Sequence, residues 1–166
     1  MSIVLFHGTT KESAERIKKE IRLDANLHPG DFGNGFYLAP HLKQCMHHAN
    51  KRRCGKTNER GVILKYEIEE EDISILKPVE FKLKTYDWGE MIYRQRVLEK
   101  DTDDNIIIGP IADGAIPAII DSCRNGDISK SDFIAAAARG ELGIQYAFKT
   151  KEAVEKLKLI DEIGGY

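Results

Sequence analysis

Apolar residues in this chain come in short runs, and each run is closed by turn formers or by a helix-capping signal. No run nears the ~18 apolar residues that a membrane-spanning helix needs. Residues 3–6 (Ile-Val-Leu-Phe) stop at His7-Gly8 and read as a buried first strand. Thr9-Thr10-Lys11-Glu12 then fits a capping box with Thr9 as N-cap, and Ala14, Ile17 and Ile21 follow at helical spacing. Residues 22–35 are dense in turn formers (Asn26, Pro29, Gly30, Asp31, Gly33, Asn34, Gly35) and predict a loop. Phe36-Tyr37-Leu38 is a very short strand, after which Pro40 opens a helix with Leu42, Cys45, Met46 and Ala49 on its apolar face.

The same alternation continues. Val62, Leu64, Tyr66 and Ile68 interleave with Ile63, Lys65 and Glu67, as in a strand with one buried face. An acidic turn, 69–72, precedes a second short apolar run, 73–76. Asp87 and Glu90 bracket a capping signal, so Trp88, Met91, Ile92 and Gln95 lie along a helix, with Trp88 expected in the core. Ile106, Ile107 and Ile108 predict a central strand by their β-branched side chains. Ile116, Ile119, Ile120 and Cys123 form a helix face with Pro117 in its first turn, and 131–139 is Ala-rich and helical. Ile144, Tyr146 and Phe148 share one strand face and Gln145 and Ala147 the other. Thr150 is expected to cap a last helix running through Leu159. Strand and helix signals interleave without a regular βαβ beat, so the class is α+β.

Length and composition agree with one soluble domain over residues 1–166. Hydrophobic residues at 42% and charged ones at 31% exclude disordered and collagen-like chains. A net charge of -2 gives no whole-molecule field for nucleic acid or an anionic membrane. Cys45, Cys54 and Cys123 cannot complete a disulfide set, which suits a reducing compartment. The start, with only four apolar residues before His7 and no basic flank, does not read as a signal peptide. The expected location is the cytoplasm.

Three pieces carry chemistry: His7-Gly8-Thr9, the stretch FGNGFYLA at 32–39, and Gln145-Tyr146 in a late strand. In this order they resemble the ADP-ribosyltransferase superfamily, in its diphtheria-toxin-like and poly(ADP-ribose)-polymerase-like branch. That branch carries a His-Gly on its first strand, an F-G-x-G-x-Y stretch leading into a helix, and a Glu-Tyr on a late strand. The chain is also similar to a little-characterised bacterial group of that superfamily, through NIIIGPIAD at 105–113 and QYAFKT at 145–150. The resemblance covers residues 7 to about 157, and FGNGFYLA is its most specific piece.

The resemblance implies a split β-sandwich of short, mostly antiparallel strands with flanking helices. It also implies NAD as substrate and no metal. His7, Tyr37 and Gln145 fall at catalytic positions, and His7, Gly8, Thr9, Gly35, Phe36, Tyr37, Cys45 and His48 at NAD-binding ones. The residue types suit those roles. A ring nitrogen of His7 can hydrogen-bond a ribose hydroxyl. Gly8 lets backbone approach a flat carboxamide, and Tyr37 offers an aromatic face to nicotinamide. The departure is Gln145, which stands where the family has glutamate. An amide accepts a hydrogen bond but brings no charge to a developing oxocarbenium ion, a loss of order 10²–10³ in rate. Asp113 and Glu141 are candidate substitutes for that carboxylate. Cys45 stands where the family has a carboxamide-binding serine, and His48 where it has a second stacking aromatic.

The expected activity is mono-ADP-ribosyl transfer to a macromolecule, with a protein acceptor favoured over nucleic acid and an inhibitory partner protein left open. The alternatives are an NAD-binding module without turnover and an NAD glycohydrolase. Transfer of an RNA 2′-phosphate onto NAD would call for basic residues lining the cleft, which the sequence does not locate. Residues 41–60 carry six basic side chains against Glu59, read first as a solvated helix end and second as a phosphate-docking patch. Cys45, His47, His48 and Cys54 match no standard zinc spacing. Arg96 suits either a phosphate or an acidic neighbour.

Overall fold

The computed structural model describes residues 1–26, 28–53, 60–141 and 143–164, with backbone alone for 51–53. The fold is α+β, with two sheets of short strands and helices packed against them. Strand β1 (Ser2–Thr10) pairs antiparallel with β3 (Gly61–Glu69), which pairs antiparallel with β7 (Lys158–Gly164). The second sheet runs β2 (Phe36–Leu38), β6 (Ile144–Phe148), β5 (Ile106–Pro110), β4 (Val79–Glu80). It is antiparallel except for the short β4–β5 pair. The β-branched triplet of β5 thus lies inside its sheet.

The strand period sorts side chains into separate cores. Leu5, Leu64, Tyr66 and Ile68 of the first sheet meet Phe36, Leu38, Ile106 and Phe148 of the second in the sandwich interior. The opposite face of the second sheet, with Ile107 and Ala147, packs with Phe32, Trp88, Ile92, Ile116 and Phe133. Phe32 comes from the loop before β2, and the others from α4 (Tyr86–Arg96), the 3₁₀ turn Ile116–Ile119 and α6 (Lys130–Ala137). Trp88 is fully buried and its Nε1 donates to Pro110 O at 2.9 Å. On the outer face of the first sheet, Cys45 of α2 (Leu42–Arg53) meets Ile63.

Among the described residues, backbone pairing joins the two sheets at Phe6 and Ala39. Phe6 and Ala39 form a β-bridge, with Phe6 N–H donating to Ala39 O at 2.8 Å and Ala39 N–H to Phe6 O at 2.9 Å. This junction brings the end of the first strand to the FGNGFYLA stretch.

Several boundaries differ from the sequence expectation. Strand β1 runs on to Thr10, so Thr10 rather than Thr9 caps α1 (Lys11–Lys19), its side chain accepting from Ser13 N–H at 3.2 Å. Thr9 is 2% exposed and stays in the sheet opposite Val62. The apolar run 73–76 is no strand: α3 (Glu70–Ile75) forms there, its first turn holding Glu70, Glu71 and Asp72, which suit the positive end of a helix. Thr85, not Asp87, caps α4. The helix expected after Ile116 starts as the 3₁₀ turn, with α5 (Ile120–Arg124) beyond it. Thr150 does cap α7, but that helix is only Lys151–Glu155. The chain then turns into β7, which gives β3 a partner on its second edge.

Candidate functional site

The junction is built from Gly8 outward. A Cβ at position 8 would lie 2.2 Å from Cys45 O and 3.2 Å from Ala49 N, so only glycine lets α2 settle on β1. Cys45, buried by this contact, donates its thiol to Phe6 O at 3.1 Å. Burial pushes that thiol up to about 11, so it stays protonated at neutral pH. Gln44 of the same helix donates to Ile144 O at 3.3 Å and ties α2 to the start of β6.

His7 stands beside the bridge. Its Nδ1 lies 2.7 Å from Tyr37 O, and because a carbonyl only accepts, Nδ1 carries the proton. In the neutral ring Nε2 is then an acceptor. The imidazole packs on Phe36, ring centroids 4.4 Å apart. Gly35 is close against β6, since a Cβ there would meet Phe148 O at 3.0 Å.

Tyr37 belongs to the other face of β2. Its hydroxyl donates to Gly33 O at 2.7 Å and accepts from Phe32 N–H at 3.0 Å, while its ring stays partly exposed. Burial pushes the phenol well above its ordinary value. The loop folds over the ring tip: a Cβ on Gly30 would lie 2.5 Å from the Tyr37 hydroxyl. Gly33, at φ 87°, is in the left-handed region that favours glycine.

Gln145 lies on that same face, one residue beyond Tyr146, the last residue of β6 paired with β2. It is 9% exposed, and its Nε2 donates to Asp31 Oδ2 at 2.8 Å. Asp31, itself 6% exposed, also accepts from Ala112 N–H at 2.9 Å, and Arg96 Nε reaches its other oxygen at 3.1 Å. Arg96 therefore meets an acidic neighbour. Because Asp31 occupies Nε2, Oε1 is the end of the Gln145 amide left to accept from a ligand.

The structure thus joins His7 to the backbone of Tyr37, and places Asp31 beside both the Tyr37 phenol and the Gln145 amide. No described contact joins the His7 side chain to that of Gln145. His48 is exposed on α2, whereas Thr9 and Phe36 are buried near His7. Asp113 accepts from Ala115 N–H at 2.8 Å, in the loop after β5, and Glu141 is exposed. Neither makes a described contact with Gln145.

Asp31, as the partner of Arg96 and Gln145, and Lys149 escaped the sequence reading. The signals were present but mute: Asp31 directly precedes FGNG, and Lys149 directly follows an apolar strand. The Lys149 side chain is 2% exposed and donates to Phe32 O at 2.5 Å, Asn34 O at 3.2 Å and Asp101 Oδ1 at 2.5 Å, holding the FGNG loop to β6. Cys54 and, of the basic stretch, Lys56 lie outside the described residues. Among the described residues, no group of three or more His, Cys, Asp or Glu is placed to hold a metal, and no helix is long and apolar enough to cross a membrane.

These features define a class: an α+β domain of two short-stranded sheets bridged at Phe6 and Ala39, with a histidine held on a tyrosine carbonyl beside the bridge and, on the other face of the second sheet, an amide–carboxylate–guanidinium chain. The chain matches the family model described as protein of unknown function (DUF3990) over residues 3–159, and it belongs to that family. No curated protein matches it.

Proposed function

We propose that the protein is an NAD-dependent mono-ADP-ribosyltransferase whose NAD site lies at the sheet junction. The observation that carries this reading is the His7–Tyr37 contact. It holds an imidazole in one tautomer, beside the glycine of His7-Gly8 and the aromatic strand of FGNGFYLA. The resemblance in chain order supports it as well.

In this reading His7 Nε2 accepts from a ribose hydroxyl, the Gly8 backbone pairs with the carboxamide, and the Tyr37 ring flanks nicotinamide. The bond between nicotinamide nitrogen and ribose C1′ breaks, and its electron pair leaves with nicotinamide. The ribose moves towards an oxocarbenium ion, an acceptor nucleophile attacks C1′, and its proton passes to solvent. Oε1 of Gln145 holds the ribose 2′-hydroxyl. Asp31 is the carboxylate nearest this amide, but Arg96 and two N–H donors offset its charge. The rate enhancement therefore lacks the electrostatic contribution a bare carboxylate makes, and turnover is slow.

That same pairing favours a second reading, an NAD-binding module without turnover. Incubation of the protein and a cell lysate with labelled NAD separates them. Labelled macromolecule supports transfer, free ADP-ribose alone means hydrolysis, and unchanged NAD with retained binding leaves the module.

A further inference from the structure

The loop that carries FGNG has a second side, away from His7. There Asp24, Asn26, Pro29, Asn34, Gln95, Glu99 and Asp101 surround a cavity of about 280 Å³. Three of these side chains are carboxylates, and no cation is among them. An acidic cluster alone would mean little, but Gln95 adds an independent observation. It is 1% exposed, and its Oε1 has no hydrogen-bond partner, although its Nε2 donates weakly to Met91 Sδ at 3.7 Å. A buried amide oxygen left unpaired costs about 1–3 kcal/mol, so such an atom calls for a donor. A Cβ on residue 33 would lie 2.6 Å from this oxygen, so only glycine fits against it.

We infer that this cavity binds a side-chain-sized guanidinium cation. The volume, just below the ~300–1,000 Å³ of ordinary ligand pockets, suits a small ligand. Chemistry calls for several donors: Gln95 lines the cavity together with three carboxylates, and a planar guanidinium presents five N–H groups where an ammonium presents three. Neighbouring cations already face the carboxylates. Arg22 lies 3.4 Å from Asp24, Arg124 3.3 Å from Glu99, and Lys149 2.5 Å from Asp101. The first two pairs are largely exposed and weak, and Arg124 also donates to Val97 O and Arg96 O. Asp101 is committed to Lys149 and to Asn34 N–H, so it lines the cavity as a fixed acceptor. This inference stands on the cavity alone and does not draw on NAD.

The test titrates propylguanidinium, butylammonium and sodium chloride at matched ionic strength, read by melting temperature and by the amide NMR signals of Gln95 and Asn34. Propylguanidinium raises the melting temperature by mass action, moves both signals, and binds ~10-fold more tightly than butylammonium. Gln95→Leu keeps the melting temperature at or above the native value, because it removes an unpaired acceptor, and loses the binding. Glu99→Gln, at an exposed position that folding does not need, weakens it ~2–5-fold. Unmoved signals, indistinguishable cations, or undiminished binding in both variants would overturn the inference.

Discussion

At the scale of single residues, Asp31 is the hinge of the account. It gathers Gln145, Ala112 N–H and Arg96 from three separate segments. Asp31→Ala leaves three donors, one of them a partly buried cation, without their acceptor, and is expected to cost about 3–5 kcal/mol in denaturant unfolding. In the proposed reading Gln145→Glu brings a carboxylate to the ribose, but sets it against Asp31, where an amide nitrogen now sits 2.8 Å away. Two carboxyls so placed share a proton, which raises the pKa of the new group above the ordinary ~4.3 of glutamate. A raised acid stabilises the fold below its unfolded pKa, and that stability falls as pH rises through the folded one. The variant should therefore lose stability and gain transfer activity over the same pH rise, measured by paired pH–melting and pH–rate profiles. Activity already maximal at acid pH would contradict this. Cys45 gives a plainer case. Its thiol, pushed up to about 11 by burial, should alkylate with iodoacetamide at pH 8 at least ~10-fold more slowly than in the unfolded chain, read by mass spectrometry.

At the scale of elements, the contact of α2 with β1 through Gly8 can be tested by adding one methyl group. Gly8→Ala drives a Cβ into the Cys45 carbonyl, an overpacking expected to cost about 1–3 kcal/mol and to lower the melting temperature. Elements whose signal is local were legible beforehand. The β-branched 106–108, the alternation at 62–68, the FYL strand and the Trp88 helix all form where their patterns lie. Elements decided by tertiary demand were not. Strand β7 looked like the tail of a helix because a capping threonine opens the segment, yet β3 needed a second neighbour. The run 73–76 became helical because the acidic residues before it suit a helix start better than a strand. The candidate site divides the same way. His7, Gly8 and FGNGFY could be read from their order, but the Asp31–Arg96–Gln145 chain could not, since its members lie up to 114 residues apart. No periodicity encodes such a contact.

At the scale of the whole molecule, the first sheet depends on its last strand. Six register pairs join β7 to β3, and at roughly 0.2–1 kcal/mol per cross-strand pair a chain ending at Leu157 should lose about 1–6 kcal/mol in denaturant unfolding. The central claim is that the junction of the two sheets is a dinucleotide site held by His7. The most direct measurement is the melting temperature of the native protein and of His7→Ala, each with NAD and with nicotinamide alone. The account predicts a concentration-dependent rise with NAD for the native protein, a smaller one with nicotinamide, and none with NAD for His7→Ala. An equal rise in the variant, or no rise in the native protein at millimolar NAD, would contradict it.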